Sequence, residues 1–468
     1  MTSWTVDQLL EATQGRLVTG DRATAVRGVC LDSRQLQPGE AFLAIRGQRL
    51  DAHAFLPEAI VRGASGLIIS ALPVRLPSVP TIHVSDTTSA LGSLAAFHRR
   101  RFNIPVVAVT GSCGKTTTKE LIAHLLSQQG ARVLKTTGTQ NNHIGLPLTL
   151  LRLDPAHEFA VVELGSNHPG EIATLARIAR PTVAVITNVG PVHLEFFGSL
   201  DVVRQEKLSL LEALEPGGAA IVPGDQLDVL LEAKSRLPSQ RSLLTFGSSE
   251  QCGVQALEIR RTDEGLTLRV RGVSGAFAIP LLGYHNVENV LAALACAKAL
   301  GLPLESLQDG LRGFTPLPMR SEILHCNGFT ILNDCYNANP LSFARALEML
   351  RDLRVKRRVV IAGDMLELGD CSHAAHQAIG HLAAQFGMNV VVGVGTFADD
   401  IVQGASGNAA TRTFRYGTIQ ELLQQLPSII QDGDGLLVKG SRKLQLDQVT
   451  TFLRERAHHA SPAQGDCR

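Results

Sequence analysis

The sequence predicts an α/β protein built on mostly parallel sheets, and three observations carry that expectation. Short runs rich in Val, Ile and Leu alternate with helical segments along nearly the whole chain, as strand–helix–strand crossovers do. Polar clusters follow many of those runs, where ligands of open parallel sheets collect. One run, Val106–Val109, breaks at Thr110-Gly111-Ser112-Cys113-Gly114 and restarts as a helix at Lys115-Thr116-Thr117. That aims free backbone N–H groups, a helix N-terminus and a lysine at one point, which suits a polyphosphate. The common phosphate-loop pattern has a Gly where Val109 stands, so this loop is of a shorter variety. A plain glycine turn is the bland alternative, and G-K-T directly after a strand weighs against it.

A chain of 468 residues has room for about three domains. Residues 1–102 read as a small α/β domain with a helix over Trp4–Thr13, strands at Gly66–Ser70 and Thr81–Ser85, and a helix over Ala90–Phe102. Asp32-Ser33-Arg34, Pro38–Ala44, Gly47 and Asp51-Ala52-His53 lie ahead of those strands. Such polar turn residues either hold a ligand's phosphates or polar head, or simply form the turns.

Residues 103–316 read as a nucleotide domain, with strands at Val106–Thr110, Phe159–Leu164, Thr182–Thr187 and Ala219–Val222. Glu163 ends its strand and His193 follows the next, so both suit magnesium or its waters. An ordinary hydrogen-bonded loop histidine is the alternative for His193. Ser199 caps a helix expected to run to about Leu214, on which Leu200, Val203, Lys207, Leu211 and Leu214 share one face. An ammonium in such a stripe is costly unless it snorkels, pairs with an anion, or is chemically neutralised, for instance as a carbamate. Asn141 and Asn142, in the polar stretch Thr136–Pro147, either meet a substrate or belong to a plain loop. Asn286 and Asn289, neighbours on a helix opened by Gly283-Tyr-His, suit the edge of a purine; capping explains Asn286 but not Asn289.

Pro316 and Pro318 mark a second boundary, and residues 317–457 alternate strand and helix again. Strands are expected at Phe329–Asn333, Val359–Ala362, Val390–Val394, Thr411–Tyr416 and Leu436–Val438, and the last helix over Leu444–Ala457. Polar strand exits carry Asp334, Tyr336, Asn337 and Asn339, then Gly363-Asp364-Met-Leu-Glu367, then Lys439-Gly440-Ser441-Arg442. Asn339 then Pro340 is a cap and a first-turn proline. Gly393-Val-Gly395-Thr-Phe-Ala398 fits a dinucleotide pattern, but the next strand lacks the acidic residue for a ribose, so its glycines are read as packing. From His458 to 468 the chain is polar and expected to fray.

The bulk numbers narrow the class. Net charge of +1 gives no electrostatic reason to expect nucleic acid or an anionic membrane. No apolar run approaches the length of a membrane span, and Met1–Gly20 lacks the regions of a signal peptide. The eight cysteines are scattered without a C-x-x-C pair, which points to reduced thiols in a cytosol rather than to disulfides or zinc.

With T-G-S-C-G-K-T-T, V-E-L-G, G-P-V-H-L-E-F-F-G, Lys207, H-N-V-E-N and D-C-Y-N-A-N-P in this order, the chain resembles the Mur ligases over about residues 1–457. The resemblance implies the three-domain architecture of that family. A central ATPase-like parallel sheet is flanked by a small N-terminal domain for the UDP-substrate and a C-terminal dinucleotide-fold-like domain that receives the incoming amine. Y-N-A-N-P, G-D-M-L-E-L-G and Q-N-N-H-I-G-L-P-L-T-L-L resemble the branch that uses ATP to join D-alanyl-D-alanine to a UDP-N-acetylmuramoyl-tripeptide through an acyl phosphate. ATP and Mg2+ are then the expected cofactors, in a monomeric enzyme of the bacterial cytoplasm without nucleic acid or membrane insertion.

By the same resemblance, residues Thr110 to Thr117 hold the phosphates of ATP, with Lys115 and Thr116 at the β/γ-phosphates and first magnesium. Glu163 and His193 hold metal, and Lys207 matches a lysine that is carbamylated in the family and then adds a metal-facing carboxylate. Asn286 and Asn289 lie beside adenine, and Arg320 and Asp334 reach ATP from the third domain. Ser33 and Arg34 hold the uridine end. Asn141 and Asn142 keep their substrate role, whereas Thr139 departs from the asparagine often found there. Strand-exit geometry makes Tyr336, Asn337, Asn339 and Arg442 the candidates for the dipeptide.

The rivals are a sibling ligase adding one amino acid, a folylpolyglutamate synthase, a P-loop switch or phosphotransferase, and a non-catalytic nucleotide module. Y-N-A-N-P with G-D-M-L-E-L-G weighs against the first two, and the switch lacks an N-K-x-D motif. The last has no use for Lys115, Glu163, His193 and a buried Lys207 together.

Overall fold

Runs of valine and alanine too short for helices, and apolar on both faces, need cover from both sides. The strand Val106–Thr110, buried at every position, lies third from one edge of a nine-stranded sheet in a computed structural model that describes residues 4–460 apart from 48, 263–264 and 327. It is flanked in parallel by Phe159–Glu163 and Val183–Ile186. Parallel pairing continues through Val133–Lys135 on one side and through Ala219–Pro223, Ser242–Gly247 and Val254–Thr262 on the other. The helices Lys115–Gln128 and His285–Ala299 bury one face, while Glu171–Ala179 and Leu200–Leu208 cover the other.

Two antiparallel strands the alternation does not predict, Gly265–Val270 and Phe277–Ile279, extend this sheet beyond its parallel part. Leu266, Leu268 and Val270 form the buried face of the first of these, alternating with Thr267 and the exposed Arg269.

The N-terminal five-stranded sheet pairs Val29–Cys30, Ala41–Leu43, Gly66–Ile69 and Thr81–His83 in parallel and adds Arg16–Thr19 antiparallel. The first helix starts at Val6 rather than Trp4, because Trp4–Thr5 pairs with Ala25–Val26 and Thr5 makes a capping box with Gln8. The next long helix runs Thr87–Arg99, moved forward by its Asp86 cap. Arg99 ties this unit to the central one: its buried guanidinium donates to the carbonyls of Ala179, Phe102, Ile104 and Arg180.

The last sheet has six strands, with Phe329–Asn333, Asp434–Lys439, Arg357–Gly363, Val390–Val394 and Arg412–Tyr416 parallel and Glu322–Cys326 antiparallel at one edge. Gly393 and Gly395 act as packing glycines. A Cβ at Gly393 would lie 2.6 Å from Ala398 O, and one at Gly395 would lie 2.6 Å from the Asp364 carboxylate.

Lys439 ends a strand longer than Leu436–Val438, and Arg442–Leu444 forms a separate 3-10 turn before the helix Asp447–Ala460. The rest of the expected frayed end, beyond Ala460, lies outside the described residues. The helix capped by Ser199 stops at Leu208 and tightens into a 3-10 turn over Ser209–Ala213. Among the described residues no helix is long and apolar enough to cross a membrane, and no disulfide joins the described cysteines.

Candidate active site

Two glycines shape the phosphate loop. Gly111 has φ 147°, and a Cβ there would lie 2.1 Å from Thr187 Oγ1. Gly114, left-handed at φ 79°, begins the helix Lys115–Gln128, and a Cβ on it would lie 2.1 Å from Asn289 Oδ1. The strand continues to Thr110, so Val109 is a core residue, and a glycine there has no task. The loop is braced from the neighbouring strand exit: Cys113 N donates to Asn188 Oδ1 at 2.9 Å and Ser112 N to Asn188 O at 3.0 Å. Lys115 curls back to donate to Gly111 O at 2.7 Å. Packing among protein atoms lowers its pKa, with Glu163 working against that.

A cavity of about 400 Å³ opens over this loop, between the central and last sheets. Its wall includes Ser112 to Thr117, Asn141, Asn142, Glu163, His193, Asn286 and Asn289 from the central unit. Arg320, Asp334, Tyr336, Asn337 and Asn339 come from the last one. Thr139 also faces it, despite its departure from asparagine.

Glu163 is 1% exposed; its Oε1 accepts from Asn141 Nδ2 at 2.7 Å, and its Oε2 is buried with no hydrogen-bond partner. An orphaned carboxylate oxygen beside a phosphate loop fits a divalent cation. Among the described residues no group of three or more His, Cys, Asp or Glu side chains is arranged to hold a metal. Such an ion would draw part of its shell from phosphate and water, as magnesium commonly does.

Lys207 stands just behind the wall. It is 1% exposed, and its Nζ donates to Ser166 Oγ at 2.7 Å, with the Phe197 ring 5.7 Å away. Burial, then the charge on Lys115, brings its pKa to about 7, against the pull of Glu206 and Glu171. It does not snorkel and has no ion-pair partner among the described residues, and at a pKa of about 7 the amine is partly neutral at physiological pH. Its neighbour Glu206 instead caps the helix Glu171–Ala179, accepting from Gly170 N at 2.7 Å and Ile172 N at 2.8 Å.

The last unit docks through the helix Pro340–Asp352. Its cap, Asn339, touches the phosphate loop, with Nδ2 3.4 Å from Cys113 Sγ, and Arg345 pairs with Glu288 at 2.7 Å. Arg320 lies 3.9 Å over the Tyr336 ring, between Met319 and Ser321, both left-handed. Asp334 is held by Lys439 and by Ser321 N, which donates at 2.9 Å.

Several expected contacts take another form. Asn286 and Asn289 line the cavity, but Asn289 Nδ2 donates to Asn286 Oδ1 at 2.9 Å and Asn286 Nδ2 to Leu282 O at 2.7 Å. Much of their capacity thus holds the helix start against the phosphate loop. Arg442 is absent from the cavity: the 3-10 turn carries its guanidinium to Asp447, 2.7 Å away. The cations that do line the cavity with Lys115 are Arg320, Arg345 and Lys439. Ser33 and Arg34 also lie outside it, Ser33 Oγ donating to Glu58 at 2.9 Å and Arg34 folding onto Asp32. Sequence reasoning missed Ser166 and Asn188 as partners, although T-N-V-G after a strand hinted at Asn188; Lys439 lay in a polar strand exit it named, without a role of its own.

The pattern of the Mur ligase middle domain matches residues 109–297, and that of the Mur ligase, glutamate ligase domain, residues 319–442. A UDP-N-acetylmuramoyl-tripeptide–D-alanyl-D-alanine ligase of Escherichia coli is 36% identical over 460 residues, covering 97% of this chain and 99% of that protein. Among solved structures, MurF from Acinetobacter baumannii superposes with a TM-score of 0.89 at 34% identity, covering 97% of this chain and 99% of that one. A MurF ligase from Thermotoga maritima in complex with ADP gives 0.83 at 27% identity, covering 93% and 99%.

Proposed function

The chain belongs to the Mur ligase family, and on that premise we propose that it joins D-alanyl-D-alanine to UDP-N-acetylmuramoyl-tripeptide at the expense of ATP. That is the last cytoplasmic step in making the peptidoglycan precursor. The supporting observation is the cavity itself, where Lys115 and the orphaned Glu163 Oε2 face Arg320, Asp334 and Tyr336 of another unit. Domain roles follow as residues 1–102 for the UDP-substrate, 103–316 for ATP, and 317–457 for the dipeptide. Ser33 and Arg34 are assigned to the uridine end.

In the reaction the tripeptide carboxylate attacks the γ-phosphate of ATP, giving an acyl phosphate and ADP. The free amine of the dipeptide then attacks the acyl carbon, and phosphate leaves as the amide forms. Lys115 and the loop N–H groups bind and orient the triphosphate, and Arg320 stacked on Tyr336 covers it from the other side. Magnesium held by Thr116, Glu163 and His193 would supply charge screening between carboxylate and triphosphate. With Arg442 turned away, Asn337 and Asn339 are assigned to orient the acceptor, and Lys439, 1% exposed and donating to Asp334 and to Asn337 O, holds the loop that carries them. No protein nucleophile is needed.

Lys207 is assigned as a carbamate, formed when its neutral amine adds CO2 and releases a proton. Lys207→Ala then loses activity and regains part of it with short-chain carboxylates; indifference to both rejects the assignment. The decisive assay for the overall reading is acceptor dependence. Phosphate release should require both the UDP-tripeptide and D-alanyl-D-alanine, whereas equal turnover with a single amino acid points to a sibling ligase.

A further inference from the structure

His193 is held from outside its own unit. Its Nδ1 is in hydrogen-bond contact with Glu367 Oε2, a carboxylate of the last unit 174 residues further along. The two backbones meet at the same point. Glu195 N donates to Glu367 O at 3.3 Å, and Gly369 comes so close that a Cβ on it would lie 3.2 Å from Glu195 Cα. Both partners are left-handed without being glycine, His193 at φ 50° and Glu367 at φ 65°. Such conformations are strained and persist where the surroundings impose them.

We propose that Glu367 is the positioning residue of His193, and that it acts only when the last unit is docked on the central one. This rests on the ligase reading given above. A carboxylate accepting from Nδ1–H fixes the tautomer and leaves the Nε2 lone pair for a ligand in the cavity. When the last unit swings away, Glu367 leaves with it and the ring loses both its orientation and its assigned tautomer. The metal-binding competence of the central unit is thereby coupled to the arrival of the unit that brings the acceptor. An ATP complex without a docked last unit is poorly set for transfer, which protects ATP from idle hydrolysis.

The test compares wild type, Glu367→Gln, Glu367→Ala, His193→Ala and the double alanine variant. Readouts are phosphate release with both substrates, Mn2+ affinity of the ATP-analogue complex by electron paramagnetic resonance, and thermal melting. Glu367→Ala should lose about 10–100-fold in kcat and a similar factor in Mn2+ affinity, with KM for the dipeptide changed by less than about twofold, because Glu367 acts through His193. Glu367→Gln, whose amide oxygen still accepts, should retain most of the Mn2+ affinity. On the His193→Ala background, Glu367→Ala should cost less than about twofold more. Wild-type kcat and Mn2+ affinity in Glu367→Ala, or full additivity in the double variant, overturns the proposal. If Glu367→Ala melts early, Glu367→Leu, which fills a similar space without an acceptor, decides by the same two outcomes. A wild-type protein that fails to release phosphate with both substrates instead removes the ligase reading, while Mn2+ affinity still reports on Glu367.

Discussion

Replacing Lys207 with methionine should stabilise the chain at neutral pH, and the gain should fade in alkali. The side chain is 1% exposed, and burial, followed by the charge on Lys115, brings its pKa from 10.5 to about 7. A lowered base pKa means that the unfolded chain binds the extra proton between those two values. Wild-type stability therefore rises with pH across that window, by about 1.4 kcal/mol per pH unit from this group. The accumulated penalty is about 5 kcal/mol below pH 7 and about 4 kcal/mol at pH 7. Methionine removes it but leaves Ser166 Oγ without the donor it has at 2.7 Å, which costs about 1–3 kcal/mol. The expected net gain at pH 7 is about 1–3 kcal/mol. Urea unfolding at pH 7, 8 and 9 in CO2-free buffer, followed by circular dichroism, measures it as a difference in which other titrating groups cancel. Identical pH slopes in wild type and Lys207→Met, with no gain at pH 7, would refute the reasoning. Adding bicarbonate should change the wild-type slope by trapping the amine as carbamate and leave the variant untouched.

Gly111→Ala places a methyl 2.1 Å from Thr187 Oγ1 at φ 147°. It should weaken ADP binding at least about tenfold by calorimetry and cost about 1–3 kcal/mol of stability. Glu206→Ala uncaps Gly170 N and Ile172 N, for a loss of about 1–3 kcal/mol in urea unfolding. Arg99→Ala leaves four carbonyls without their shared donor. It should lower stability by about 3 kcal/mol and expose the link between the first two units to limited proteolysis; unchanged cleavage would show that the clamp is dispensable.

The features legible in the sequence are those whose cause is local. The phosphate loop, the cap at Asn339 and the strand–helix alternation are written within a few residues, and Lys207 betrayed itself by its place on an apolar helix face. What stayed hidden depends on side chains brought from afar. Nothing near His193 announces Glu367, and nothing near Cys113 announces Asn339, 226 residues away. Asn286 and Asn289 had the right spacing to face a base, yet i,i+3 neighbours also face each other, and that bond is the one present. Arg442 failed for a different reason: a strand exit predicts where a backbone leaves the sheet, but the 3-10 turn over Arg442–Leu444 decides where its side chain goes. The hairpin of Gly265–Val270 and Phe277–Ile279 was missed because its strands are short and lie where the parallel strand–helix rhythm breaks off.

The brace on the phosphate loop also bears on how the chain is made. Cys113 is held by Asn188, and Thr118 by Asn289, a partner 171 residues further on. On a ribosome adding about 5–20 residues per second, Asn188 appears about 4–15 s after the loop and Asn289 about 9–34 s after it. Until then the glycines at 111 and 114 have nothing to press against, and ATP finds no formed cradle. Nucleotide can therefore select the finished central unit but cannot nucleate it, and a nascent chain truncated before the helix His285–Ala299 should emerge unable to retain nucleotide.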